Sequence, residues 1–501
     1  MKKFLVGIVV VFALIIVALV VAVSMVDLNK YKPQIEKAVK ENSGYEMKID
    51  GDIATSFSPI GISISKVEIK NPQIMSNQKF FDMDKLSVAI ELKPLLKKEI
   101  KVKYIVLNNL NLDIKKLKNG KFNFDLLKKE TNAKNATNAT NAKKGEKEEK
   151  GEKAKLPMVN VKEIRIKNAN INFQDLNTKS SAKVEKIDIA VNNIKFDPSK
   201  KTLQAISFDA DTKIAQILYD RYKLQDITVA LNMKDAIATL NNMKLSAYGS
   251  LATAKGKLNL NEKIPVLDLE ADVPKLNLEN YSKEFLNKDI LSGFVKVHKK
   301  FRLSLGDVNT IKRTLKGGFL IDGQGVSVKG IDLDKMLSTY KSSKKMDIKS
   351  LGSSLVSGPL NALLSGKGLS SMVGGKDSGT TLLKRVYVKV NIAKGIANLS
   401  DVAIATGKNR VAVKGKLDIL RERFLGVQLG VLDAKNCAKI SQTIEGTFDK
   451  PKIKVNASTV ESTVKTVSSL LSSFGVKVPK MPTQKQGKCK VFYNGVVKQP
   501  K

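Results

Sequence analysis

The residues that could perform chemistry in this chain are few and lie far apart. The sequence contains one histidine, His298, within the lysine-flanked stretch VKVHKK. No second histidine or close pair of cysteines accompanies it, so the ligand pattern of a zinc site is absent from the sequence. GxSxG, HExxH and P-loop patterns are absent as well. We therefore expect that the protein is not an enzyme and uses no metal and no cofactor, with His298 as a surface residue.

Two short motifs resemble ligand sites but have simpler interpretations. Gly323 and Gly325 lack the strand-then-helix setting of a phosphate-binding loop, and we interpret them as turn residues between strands. Asp332 and Asp334 lack the further ligands of a calcium-binding loop. Helix capping is therefore the better interpretation of this aspartate pair.

An uncharged run, FLVGIVVVFALIIVALVVAV, occupies residues 4–23. A helix of this length rises about 30 Å, which is the thickness of a bilayer's hydrocarbon core. A cleaved signal peptide is the alternative, but the run exceeds the usual apolar region of about 7–15 residues. We predict a retained transmembrane helix over residues 4–24, with residues 1–3 in the cytoplasm and the body outside it.

The charge of the chain is strongly basic, with a formal net charge of +39 at pH 7. Nearly all of the basic residues are lysines, whereas base readout and bidentate phosphate binding depend on arginine. We therefore expect no nucleic-acid partner. Two interpretations of the lysines stay open, namely a solvated surface and a surface attracted to anionic lipid headgroups.

The two cysteines, Cys437 and Cys489, lie near the C-terminus. An exported body meets an oxidising compartment, where one structural disulfide can form between them. Two unpaired buried thiols are the alternative.

Hydrophobic periodicity predicts a mainly β body. After a short helix over Tyr31–Asn42, apolar and polar residues alternate through most of the chain, and no crossover helices separate the strands. Antiparallel meanders are therefore expected. Each strand has one apolar face, which two β-sandwich domains would bury. An elongated, curled and partly open sheet would instead leave an apolar trough.

Twelve residues on alternating strands are candidates for lining such a trough. They are Leu86, Val88, Ile90, Leu92, Ile164, Ile166, Ile187, Ile189, Val191, Ile227, Val229 and Leu231. A trough of aliphatic side chains would bind acyl chains, because each methylene moved out of water gains about 0.8 kcal/mol.

Composition and periodicity divide the body into segments. The tract at 130–156 is rich in Asn, Lys and Glu and predicts a disordered linker. It separates an N-terminal β region (25–129) from a central β region (157–310), which a C-terminal β region (311–458) and a helix with a tail (459–501) follow. Short helical pieces are expected near 351–364 and an amphipathic helix over 459–474.

Several motifs resemble the AsmA family of Gram-negative envelope proteins. Near the N-terminus the resemblance is carried by the stretch VDLNKYKPQIEKAVKENSGYEMKIDGDIATSFSPIGISISKVEIKN. The other similar stretches are LKGGFLIDGQGVSVKGIDLDKML, GIANLSDVAIATGKNRVAVKGKLDI and ISQTIEGTFDKPKIKV. The positions that match the family pattern are Tyr31, Pro33, Gly44, Gly51, Pro59, Gly330, Ile331, Asp332, Leu333, Gly446 and Pro451.

The resemblance implies an inner-membrane anchor and a periplasmic body that forms a U-shaped β-groove with an apolar interior. It further implies a role in outer-membrane biogenesis, with phospholipids carried or guided between the membranes. The implied partners are phospholipids, the inner membrane and an outer-membrane or periplasmic protein. A periplasmic scaffold or chaperone that assists outer-membrane protein assembly through a β-edge is the alternative.

Overall fold

The computed structural model describes residues 27–57, 59–71, 79–91, 94, 101–125, 160–197, 199–200, 203–342, 379–455 and 490–500. These residues are mainly β with a few short helices, as the sequence predicts. The chain divides into two compact units, Met1–Ala236 and Ile237–Lys501.

Several predicted segments lie outside the described residues, and they stay predictions. They are the transmembrane helix over 4–24, the linker over 130–156, the helical pieces near 351–364 and the helix over 459–474. Within the described part of the chain, the helices are too short or too polar to cross a bilayer.

The first unit contains a 3-10 helix (Leu28–Tyr31), one α-helix and ten strands among its described residues. Their bounds are α1 (Lys32–Ser43), β1 (Met47–Ile49), β2 (Ile53–Phe57), β3 (Ile60–Lys70), β4 (Lys79–Ile90), β5 (Lys101–Asn108), β6 (Asn111–Lys116), β7 (Asn160–Asp175), β8 (Ser181–Phe196), β9 (Ile206–Tyr219) and β10 (Tyr222–Lys234).

Helix α1 confirms the helix that the sequence predicts after residue 30. Pro33 lies in its first turn, where a missing backbone N–H costs no helical hydrogen bond. Gly44 ends the helix with a φ of 79°, and its N–H donates to the carbonyl oxygen of Lys40 at 2.9 Å. Ile35 and Val39, one turn apart, are the buried residues of the helix.

The sheet of the first unit is mixed, so the prediction of a wholly antiparallel sheet is wrong. Strands β1 and β2 pair with β3, and β3 to β6 form an antiparallel group around β4. Strand β7 then pairs in parallel with both β5 and β6. From β7 to β10 the pairing is antiparallel again. A parallel pair needs a long connection, which the segment between β6 and β7 supplies.

A line of residues with positive φ crosses this sheet at one level. Lys66, Asn168, Lys186 and Asp226 lie within β3, β7, β8 and β10, and Asn109 lies between β5 and β6. The pairing of β7 with β8 shifts register at this level. Such β-bulges bend a strand and increase its twist.

Polar side chains join the strands along the same line. Asn109 donates through Nδ2 to Oδ2 of Asp84 at 2.6 Å, and Asn168 donates through Nδ2 to Oδ1 of Asn109 at 2.6 Å. The backbone N–H of Asn168 donates to Oδ1 of Asp188 at 2.8 Å. This ladder of hydrogen bonds fixes the bulges of neighbouring strands at a common level.

The described part of the second unit contains three short α-helices and twelve strands. Their bounds are β11 (Ile237–Ala247), β12 (Ser250–Asn259), β13 (Val266–Asn277), α2 (Leu278–Asn280) with a π-helical turn (Tyr281–Phe285), β14 (Leu291–Ser304), α3 (Val308–Thr314), β15 (Lys316–Lys329), α4 (Leu333–Ser342), β16 (Thr380–Leu383), β17 (Arg385–Ala393), β18 (Ile396–Ala405), β19 (Arg410–Asp418), β20 (Arg423–Leu432), β21 (Ala438–Gly446) and β22 (Pro451–Val455).

All recorded strand pairs of the second unit are antiparallel, as predicted. The strands follow one another from β11 to β15, and β15 then pairs with both β16 and β17. The meander continues from β17 to β22. Consecutive pairing of this kind needs only short turns.

Gly323 and Gly325 lie inside β15, so their interpretation as turn residues between strands is wrong. Gly325 has a φ of 63°, and the register of β15 against β14 shifts between Ser292 and Phe294. Gly325 adopts this positive φ readily, and it therefore allows a β-bulge within the strand. It does not form a turn between strands.

Candidate binding face

Strand register places the apolar residues of the first unit in rows on one face of the sheet. Residues directly opposite each other on paired strands share a face. One row runs from β3 to β10 as Ile62, Val88, Ile105, Ile164, Val191, Ala210 and Leu231. The next row contains Ile64, Leu86, Leu107, Ile166, Ile189, Thr212 and Val229.

Two shorter rows contain the remaining described candidates. One joins Ala169, Ile187, Ile214 and Ile227 across β7 to β10. The other joins Ile90, Val102 and Val161 across β4, β5 and β7. Leu92 lies outside the described residues. The structure thus brings the described candidates to one face, and their role as the lining of a groove stays a prediction.

Burial differs along these rows. On β4, Leu86 and Val88 are 2% and 6% exposed, and they share a buried cluster with Ile35 and Val39 of α1. On β7, β8 and β10 the row members Ile164, Ile166, Ile189, Val191, Val229 and Leu231 are only half-buried. Ile187 and Ile227, which lie beside the bulge line, are buried. The apolar face is therefore covered near α1 and partly open from β7 onwards.

The opposite face of β8 to β10 is polar. One row contains Asn192, Asp209 and Asn232, and another contains Asp188, Lys213 and Thr228. Asp209 accepts hydrogen bonds from Nδ2 of Asn193 at 2.8 Å and of Asn232 at 2.7 Å. These bonds stabilise the ionised carboxylate and lower the pKa of Asp209. The sheet therefore has one apolar face and one polar face that is suited to contact with solvent.

The sheet of the second unit is two-sided as well. On β17 to β21 the apolar face is closed, with Val427 at 0% and Leu429 at 3% exposure, and Leu337 of α4 belongs to the same cluster. On β11 to β13 the corresponding residues are half-buried. They are Leu240, Met243, Leu258, Leu267 and Leu269.

Charged residues form a ladder on the other face of β12 to β14. Glu270 pairs with Lys300 at 3.4 Å and Lys255 at 3.5 Å, and these lysines lower its pKa. His298 lies on the same ladder, with its Nδ1 2.8 Å from Oδ1 of Asp272. It is half-buried there.

Glu270, Asp272 and His298 bring their ligand atoms within 4.8 Å of one another, which is close enough to hold a metal ion. The donor set fits a metal poorly, because two lysines already balance the charge of Glu270 and Asp272 already bonds to His298. We interpret the group as cross-strand ion pairs.

The C-terminal segment 490–500 packs on the second unit through a cluster of small and aromatic residues. Tyr493 and Val497 are buried with Ala403, Ala405 and Ala412 of β18 and β19. Along β18 and β19 these alanines alternate with the residues of the apolar row, so their side chains point to the opposite face. The C-terminal segment therefore covers the face opposite α4.

Hydrogen bonds fix the C-terminal segment in place. The hydroxyl of Tyr493 donates to Oδ1 of Asp401, and it accepts from the backbone N–H of Val497 at 3.1 Å. Arg410, which is 2% exposed, donates through Nη1 to the carbonyl oxygen of Val497 at 2.9 Å. Burial and the bond to Asp401 raise the pKa of Tyr493 above its usual range.

Cys437 is disulfide-bonded and forms a β-bridge with Val491. Its predicted partner, Cys489, lies outside the described residues, so the pairing itself stays a prediction. The bridge to Val491 brings the chain next to Cys489 beside Cys437, in agreement with that pairing.

The family-motif positions of the second unit build local structure. The N–H of Gly330, at a φ of 89°, donates to the carbonyl oxygen of Gly379 at 2.8 Å, and Ile331 follows it. Asp332 caps α4 by accepting from the N–H of Lys335 at 2.9 Å, which confirms the capping interpretation for Asp332 but not for Asp334. Leu333 begins the helix and is 3% exposed. Asp334 accepts from Oγ1 of Thr406 at 2.6 Å.

The remaining motif positions lie at turns and close approaches. Tyr31 ends the 3-10 helix, and Pro59 lies between β2 and β3, where its carbonyl accepts from Oγ of Ser56 at 2.7 Å. A Cβ at Gly51 would lie 2.7 Å from Ser65, so only glycine fits there. Gly446 has a φ of 87° and is paired with Pro451 at the β21–β22 hairpin.

The sheets thus define a β-rich protein with extended apolar faces. Residues 1–216 match the model of the AsmA family, which confirms over those residues the family resemblance found in the sequence. The motifs after residue 310 lie beyond the matched part, and their resemblance stays a prediction. No curated protein matches the chain.

Sequence reasoning missed the residues that hold the C-terminal segment, namely Asp401, Arg410 and Tyr493. They come from distant parts of the chain, and no local pattern joins them. It also missed that Lys299 lies on the apolar face of β14, although the sequence pattern indicates this position. The alternating series Val295, Val297, Lys299, Phe301 and Leu303 puts this lysine in phase with apolar residues.

Proposed function

We propose that this protein carries or guides phospholipids between the membranes of the cell envelope, with acyl chains lying on the apolar sheet faces. The protein performs no chemistry in this proposal and is not an enzyme. The bulge line bends the strands of the first unit, and we propose that the bent sheet forms a groove. The AsmA match and the extended β-sheets support a role in envelope biogenesis.

The observation that carries the proposal is the half-buried part of the apolar rows on β7, β8 and β10. Six aliphatic residues are in register there, and the described residues of the first unit leave them partly open. Each methylene that leaves water for such a surface gains about 0.8 kcal/mol. Two acyl chains with about 30 methylenes would therefore gain on the order of 25 kcal/mol before the costs of ordering.

The membrane placement rests on the sequence and on the family. The apolar run over residues 4–23 would anchor the chain in the inner membrane, with its N-terminus in the cytoplasm and its body in the periplasm. Its partners would be phospholipids, the inner membrane and an outer-membrane or periplasmic protein.

A pair of substitutions on β10 tests the proposal. Val229→Lys puts a charge on the half-buried apolar face, and Ala230→Lys puts the same charge on the opposite, polar face, directly across from Asp211. The full chain is extracted in mild detergent, and bound phospholipid per protein is measured by mass spectrometry. We expect phospholipid on the native protein and on Ala230→Lys, and a clear loss on Val229→Lys. Equal phospholipid content in all three proteins, or none in the native protein, would contradict the proposal.

The scaffold alternative has one observation in its favour. Strand β22 pairs with β21 alone among the described strands, which leaves a backbone edge that another chain could extend. Crosslinks from β22 to unfolded outer-membrane proteins, with no lipid on the native protein, would favour this alternative.

A further inference from the structure

Lys299 stands on the apolar face of the second unit. It is directly opposite Ala271 of β13 and Phe319 of β15. On its own strand, Val297 and Phe301 point to the same face, because the pairing of β14 is regular through this stretch. Among the described strands β11 to β22, no other charged residue occupies this face.

The ammonium group of Lys299 has no ion pair or side-chain hydrogen bond with any described residue, and the side chain is exposed. Its neighbours on the opposite face are paired. Lys300 pairs with Glu270 at 3.4 Å, and Arg302 pairs with Asp268 at 2.8 Å. Lys300 and Arg302 on the polar face of β14 are thus paired, whereas Lys299 on its apolar face is not.

On β13 and β12, the residues in the same row as Lys299 have short side chains. Its row continues through Ala271 to Ala254, and both of these short side chains are half-buried. The neighbouring row holds Phe301 and Leu269, which are larger. Two alanine side chains therefore continue the row of the lysine, next to larger apolar side chains on the same face.

We propose that Lys299 binds the phosphate of an anionic phospholipid whose acyl chains lie on the adjoining apolar face. The proposal rests on the proposed function and assigns a headgroup class to the same face. A lysine can lay its methylenes along apolar side chains while its ammonium group contacts an anion. Because the side chain is exposed, solvent screens the attraction, and a modest headgroup preference is expected.

The test is competition between two headgroups that differ in net charge. The full chain, in detergent micelles, is given equal amounts of fluorescent phosphatidylglycerol and phosphatidylethanolamine with identical acyl chains. The ratio of the two bound lipids is measured for the native protein, for Lys299→Met and for the matched control Lys300→Met. Methionine keeps the length and the apolar character of the lysine stem.

We expect the native protein and Lys300→Met to prefer phosphatidylglycerol, and Lys299→Met to lose that preference by about two- to five-fold while it keeps its total bound lipid. An unchanged ratio in Lys299→Met, or an equal fall in the Lys300→Met ratio, would overturn the role of Lys299. If the native protein binds neither lipid, the proposed function itself fails.

A second arm separates a lipid headgroup from free phosphate. Inorganic phosphate at millimolar concentration is added to the native protein that holds labelled phosphatidylglycerol. Retention of the lipid is expected, because the acyl chains supply most of the binding. Release of the lipid by inorganic phosphate would mean that Lys299 belongs to a site for the free anion, which would contradict the proposal.

Discussion

Two substitutions on neighbouring strands should have opposite consequences, although both introduce a lysine on the same apolar face. Val88 is 6% exposed and lies in the buried cluster that includes Ile35 and Val39 of α1, whereas Ile189 is only half-buried and packs against that cluster. We expect Val88→Lys to unfold the first unit or nearly so. We expect Ile189→Lys to leave it folded.

The magnitudes follow from the burial of the two side chains. Val88→Lys loses about 1.5–3 kcal/mol of apolar burial and adds the desolvation of an unpaired charge, which costs several kcal/mol. The sum approaches the 5–15 kcal/mol that typically stabilises a whole domain. At position 189 a lysine can extend its ammonium group into water, so the loss is limited to about 1 kcal/mol of partial burial.

The assay is thermal unfolding of the full chain, followed by circular dichroism in the β-sheet region. Val88→Lys should lose its cooperative transition or shift it far downwards, and Ile189→Lys should melt within a few degrees of the native protein. An equally severe loss in both variants would refute the reasoning, since it would mean that the face is sealed at β8 as it is at β4.

Three further predictions concern the second unit. Tyr493→Phe should destabilise the C-terminal segment by about 1–2 kcal/mol and speed its proteolysis. Because the folded pKa of Tyr493 is raised, its stabilising effect is complete below about pH 10 and falls as the pH rises, and Tyr493→Phe should lose this dependence. Reduction of the Cys437 disulfide should cost about 2–4 kcal/mol, measured as a lower melting temperature. Asp332→Ala should cost about 1 kcal/mol in urea unfolding, through loss of the α4 cap.

The apolar face could be predicted from sequence because it depends on a local pattern. Alternation with a period of two puts Leu86, Val88 and Ile90 on one side of β4, whatever the partner strand. The same rule could have revealed Lys299 on the apolar face of β14. Helix α1 was predictable for a similar reason, because Pro33 and Gly44 mark its ends within a few residues.

Pairing and bulges were not predictable in this way. The parallel pairing of β7 with β5 depends on a partner beyond a long connection, and nothing in either strand specifies it. Lys66 and Lys186 have positive φ values that lysine rarely adopts. The residue types at these positions therefore do not indicate a bulge. Tyr493 and Asp401 meet only after the sheet has formed.

The central claim is that lipid lies on the half-open apolar face and not elsewhere on the sheet. Leu231 and Asn232 are neighbours on β10 that point to opposite faces and are both half-buried. A photoreactive amino acid is placed at each position in turn, and crosslinked adducts are identified by mass spectrometry of the full chain. Phospholipid adducts at position 231 and none at 232 are predicted. Adducts at both positions to the same extent, or at neither, would contradict the account.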